Sequence, residues 1–138
     1  AAMAKTVIVI APSRSLDFTG FAVWPKGKFR TPLGDMEVDA EFVSKLTGLS
    51  EEVKSLPQAF EREHALEVQL PFLQKVLDVS SVKIVPIIIS RANISDCKKL
   101  ASIINAAVGK REDVLVIAST DMSHFYSYEV ARKNGEIF

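Results

Sequence analysis

The chain has two histidines, and each stands three residues from a carboxylate: His64 before Glu67, and Asp121 before His124. In a helical turn that interval puts both side chains on one face. Each pair can therefore present an imidazole and a carboxylate to one point. Such a set serves nitrogen and oxygen ligation of iron, copper or zinc. It serves equally for proton transfer, with the carboxylate orienting the ring. The spacing also admits plainer roles, with His64 bonded to backbone or to Glu61 at a helix start and Asp121 capping the turn after a strand.

Other side chains add chemistry near these pairs. Arg14, just past Pro12-Ser13, offers a guanidinium fork for an anionic substrate, with a surface ion pair as the plainer and favoured reading. Cys97 lies near an expected helix start, where a thiolate is favoured, but a half-buried structural thiol has the same position. Tyr126 and Tyr128 bring phenols toward the second pair or serve as packing aromatics. A glycine-rich phosphate loop, a G-x-S-x-G elbow and a C-x-x-C pair are all missing from the sequence. Nucleotide, serine-hydrolase and zinc-ribbon chemistry thereby lose their usual signals.

What positions these groups follows from three apolar runs, Val7–Ile10, Ile84–Ile89 and Val114–Ala118. Continuous β-branched runs suit strands covered on both faces, as in a parallel sheet between helical layers. Pro86 cannot donate to a ladder, so its strand lies near an edge or begins its ladder beyond the proline. Three helices are predicted between the runs. One starts at Asp39 and carries Phe42, Val43 and Leu46. A second runs from about His64 to Leu77, kinked or opened by Pro71, with Leu66, Leu70, Leu73 and Leu77 beside a second stripe of Val68, Phe72 and Val76, all on one broad buried face. The third starts at Ser95 as cap and ends at Gly109. Residues 20–38 read as a hairpin-rich insertion. The expectation is one α/β domain over 1–138, a three-layer sandwich with a mostly parallel central sheet. In such folds ligands lie beyond the carboxyl ends of the strands. That rule selects Ser13-Arg14, Ser90-Arg91 and the segment 119–124.

Length and composition narrow the partners. The 138 residues are enough for a core, and 17 basic side chains balance 17 acidic ones without a like-charge track for nucleic acid or a membrane face. A lone cysteine fits a reducing compartment, so the cytoplasm is expected, and no run has the length of a membrane span.

In chain order, Val9-Ile10-Ala11-Pro12-Ser13, the Arg30–Asp35 turn, Glu63-His64-Ala65-Leu66-Glu67-Val68-Gln69-Leu70-Pro71-Phe72, Val85-Pro86-Ile87 and Ser119–His124 resemble the Memo family, whose microbial members are also called AmmeMemoRadiSam system protein B. The resemblance covers nearly the whole chain, and the E-H-x-L-E-x-Q-L-P-F string is its most specific part. It implies a fold similar to LigB-type class III extradiol dioxygenases, which are non-haem iron enzymes with an α/β sandwich. It matches His64 to a metal-binding histidine of the family, and Asp121 and His124 to rim residues of the family's pocket.

The family's second metal histidine comes from an upstream P-H-A-G-Y-like segment and its cysteine ligand from a downstream one; neither occurs in these 138 residues. Arg14 stands where relatives usually carry histidine, which replaces a potential ligand by a fixed cation. Cys97 lies in a different helix from the family's metal cysteine. The expected molecule is a truncated or short Memo-like domain with metal-dependent redox or dioxygenase-like activity on an unknown substrate. His64 would be its metal ligand for iron or copper, Asp121 and His124 its catalytic groups, and Arg14, Ser13 and Glu67 its substrate contacts. The alternatives are a non-catalytic module that takes an acidic peptide or protein on Arg14 and Arg91, or a stable fragment without activity. Exposed apolar surface would favour a homodimer.

Overall fold

The computed structural model describes residues 3–121 and 123–136. Its elements are β1 (Thr6–Pro12), β2 (Phe21–Val23), β3 (Lys28–Thr31), β4 (Gly34–Glu37), α1 (Ala40–Leu49), β5 (Val53–Ser55), a 3-10 turn (Pro57–Ala59), α2 (His64–Glu67), α3 (Leu70–Val76), β6 (Lys83–Ile89), α4 (Ile94–Val108), β7 (Val114–Ala118) and α5 (Tyr128–Gly135). The three apolar runs are β1, β6 and β7. Five strands form one sheet in the order β5-β2-β6-β1-β7. β1 runs parallel to both β6 and β7, and β2 parallel to β5; β2 and β6 are antiparallel. The α/β fold with a mostly parallel mixed sheet flanked by helices is therefore as the sequence predicts.

The core is centred on β1 and β6, where Val7, Ile8, Val9, Ile84, Val85, Ile87 and Ile88 are all fully buried. Consecutive strand residues point to opposite faces, so both faces of these strands are covered. β7 departs from that expectation. It is the end strand, and Leu115 and Val116, on opposite faces, are 42% and 47% exposed.

Pro86 sits in the middle of β6, third of five strands by order, so it is not at an edge. The second option holds on the β2 side, where pairing covers only Ile87–Ile89. Lys83 N–H donates toward β1, to Lys5 O, whereas Ile84 O accepts on the other side from Asp39 N–H. By alternation Pro86 also faces away from β1, into the gap between the Val38–Ile84 bridge and the β2 ladder. A missing N–H there interrupts nothing.

The insertion contains one hairpin, β3–β4, while its first strand, β2, joins the main sheet. α1 is capped by Asp39, which accepts from Phe42 N–H. α4 begins two residues earlier than expected. Asn93, not Ser95, is the cap, and with Asp96 it forms a reciprocal capping box. Gly109 closes the helix at φ +58°. The predicted long helix is two, α2 and α3, with Pro71 in the first turn of α3, where its missing N–H is harmless. Only one stripe is buried, because a 3.6-residue period sets Val68, Phe72 and Val76 on the side away from the leucines. Leu66, Leu70 and Leu73 enter the core, whereas Val68 is exposed and Phe72 and Val76 are each 74% exposed. The broad buried face is thus a correction.

Candidate functional site

Parallel pairing places the carboxyl ends of β1, β6 and β7 on one rim. Ser13 N–H donates to Ile89 O at 2.7 Å, and Ser119 N–H to Ile10 O at 2.8 Å. These bonds fix the polar segments that leave the sheet. A cleft of about 400 Å³ opens there, lined by Arg14, His64, Gln69, Ser119, Thr120 and Asp121 among others. A neighbouring hollow is bordered by Pro12, Arg14, Thr120, Asp121 and His124. Folding therefore brings His64 to the same cleft as Asp121, with His124 beside it. Met122 lies outside the described residues.

Both imidazole–carboxylate pairs form. His64 Nδ1 is 3.0 Å from Glu67 Oε1, and His124 Nδ1 is 3.1 Å from Asp121 Oδ2. His64 bonds Glu67 and not Glu61, and its side chain is 80% exposed. Asp121 takes a different partner from that of a turn cap, since the Arg14 guanidinium donates to the same Oδ2. Arg14 and His124 thus share one carboxylate oxygen. The Arg14 ion pair is solvent-exposed, as the plainer reading held, but it joins two site residues across the rim.

Ser13 is differently employed. Its hydroxyl donates to Leu16 O at 2.7 Å and accepts from Leu16 N–H at 3.3 Å, so it shapes the loop. Arg91 pairs with Asp17, its Nε 3.0 Å from Oδ1, and lines a separate hollow. The two guanidinium groups of the peptide-module reading therefore do not face one groove. Cys97 is exposed, and so are Tyr126 and Tyr128. Neither phenol is packed, and neither borders the cleft. Glu63, Arg62 and Gln69 line the cleft without having been assigned a role from sequence. Gln69 Nε2 donates to Ser119 Oγ at 3.3 Å, tying the α2–α3 junction to the end of β7. The signal for Glu63 and Gln69 was the polar spacing of the E-H-x-L-E-x-Q string, visible only as a motif; Arg62 lies outside it.

A larger cleft, about 520 Å³, lies at the opposite end of the strands. Its polar groups satisfy one another: Thr6 donates to Asp39 at 2.7 Å, Arg111 to Thr6 at 2.9 Å and to Asp113 at 2.8 Å. Hydrogen bonding to Arg111 holds the Asp113 carboxyl below its ordinary value. No imidazole is present there, so the rim cleft is the better candidate.

A family model described as "Memo-like protein" matches residues 1–137. The chain belongs to the Memo family. It is 39% identical over 126 residues to a MEMO1 family protein of Sulfurisphaera tokodaii, covering 90% of this chain and 44% of that protein. Similarity to a MEMO1 family protein of Saccharolobus solfataricus is 36% over 132 residues, covering 94% and 46%. One from Caldivirga maquilingensis is 34% identical over 127 residues, covering 91% and 44%. The chain spans under half the length of these curated Memo relatives.

The donors fit a metal only in part. Among the described residues no three of His, Cys, Asp and Glu group closely enough to hold an ion. Each pair supplies at most one imidazole and one carboxylate, short of the facial triad that non-haem iron uses. The described residues alone therefore do not complete an iron or copper centre.

Proposed function

We propose that this chain carries the proton-handling and substrate-orienting part of a Memo-type redox or dioxygenase-like site, acting on a small substrate with an anionic group. The observation that supports it is the shared cleft, which His64, Arg14 and Asp121 all line. Arg14 and Arg62 supply positive charge to receive the anion. Glu67 orients the His64 ring, and Asp121 orients that of His124. With Nδ1 held by Asp121, the His124 ring presents its other nitrogen to a substrate proton, while His64, its Nδ1 held by Glu67, keeps its other nitrogen for a metal. A substrate anion on Arg14 would draw the guanidinium off the shared Asp121 oxygen and leave that carboxylate to His124. Ser13 contributes through the loop shape it sets.

An iron or copper ion, in this reading, takes His64 as one donor and its remaining donors from outside these residues. Paramagnetic copper(II) added to the purified chain tests that assignment. His64 ring and Glu67 resonances should broaden first, and His64→Ala should remove the effect. Undiminished broadening in His64→Ala would overturn the ligand role.

A further inference from the structure

Glu63 is the charged residue buried among the described side chains, at 6% exposure. Among those residues it has no ion-pair partner; its two oxygens hold two backbone amides instead. Oε2 accepts from Arg14 N–H at 2.7 Å and Oε1 from Ala65 N–H at 3.0 Å. The first amide belongs to the loop after β1, the second to the start of α2. Beside them in the chain are two groups that line the cleft, the Arg14 side chain and His64.

Burying a carboxylate without a cation is costly, and hydrogen bonds to both oxygens offset that cost. Simple capping of a four-residue helix does not need it, since a neutral serine or asparagine would serve. What only a carboxylate does here is accept on both ends. Glutamine, of the same shape, has one accepting oxygen, and its amide would face a second N–H donor.

We infer that Glu63 is a positioning residue: a two-ended acceptor that sets the separation of Arg14 and His64 across the rim cleft. The inference builds on the proposed function, because the cleft it braces is that site. Through Arg14 the brace extends to Asp121, and through Gln69 to Ser119, so the loops after β1 and β7 are held from one segment.

The test uses the ligand-free chain, so it is independent of any metal or substrate. Amide hydrogen exchange is followed by NMR in wild type, Glu63→Gln and Glu63→Asp. Glu63→Gln should raise exchange at Arg14 or Ala65 about tenfold or more, as expected for one lost bond of about 1.4 kcal/mol, with β1 and β6 amides unchanged. Glu63→Asp, which keeps two acceptors, should restore part of the protection. Introducing Arg14→Met should shift the His64 ring signals in wild type, and that response should fall by more than half in Glu63→Gln. Retained protection of both amides, or an undiminished response, would overturn the positioning role. A uniform loss of protection across the sheet would also overturn it, by showing a merely structural residue. Failure of the copper experiment alone would leave this result standing.

Discussion

At the scale of single residues, what the fold demands and what the cleft uses can be separated by substitution. Gly20 has φ +82°, and a Cβ there would lie 2.4 Å from Glu52 O. Gly20→Ala adds left-handed strain to a backbone clash, so a loss of about 2 kcal/mol or more is expected in urea unfolding. A loss within error would mean that the turn into β2 can relax. Asp113 belongs to the far end, with its carboxyl held below the ordinary value by Arg111. A depressed carboxylate adds stability that is present above its unfolded value and is lost as pH falls through the folded one. Asp113→Asn should therefore lower stability at neutral pH, with the gap to wild type closing below about pH 4. A gap unchanged at pH 3 would remove the Arg111 pairing as its cause. The candidate residues were legible as types and spacings, because only two histidines compete for attention. Glu63 was not, since a carboxylate's burial and its amide partners 49 residues away in one case appear only on folding.

Elements show why some boundaries read correctly and others did not. The apolar runs gave the three main strands, because continuous burial leaves no other use for such sequences. Asp39 was recognisable as a cap because an apolar face follows it directly. At α4 two polar candidates compete, and Asn93 prevails over Ser95 because Asp96 can return a bond to its backbone. Asn93→Ala should cost about 1 kcal/mol in thermal or urea unfolding, whereas Ser95→Ala should be near neutral; the reverse order would restore Ser95 as cap. The apolar character of Val68, Phe72 and Val76 alone suggested a broad buried face, whereas a 3.6-residue period sets them on the side away from Leu66, Leu70 and Leu73, and that side is exposed.

For the whole molecule, the exposed apolar surfaces have no partner in the described residues. From Val114 to Thr120 the end strand carries no charge, the opposite of how free edges are protected. Wild type is expected to associate as concentration rises, and Val116→Lys to suppress it with little change in unfolding temperature. Light scattering showing the same monomer for both would exclude β7 as the cause. Exposed apolar surface is expected from the sequence, but its place on β7 is not, because an apolar run looks alike at the centre and at the end of a sheet.

The parallel pairing of β1 has a further consequence for synthesis. Its strand neighbours begin at Lys83 and Val114, so Val7–Ile10 leaves the ribosome long before the strands that pair with it. Nascent chains halted before Lys83 should crosslink to ribosome-associated chaperones through this segment, and released full chains should not. Equal crosslinking at both lengths would show that the first strand finds shelter elsewhere. Among the described strands, the first made is thus the one that waits longest for its partners, and chaperone supply, more than intrinsic stability, would limit the yield of folded protein.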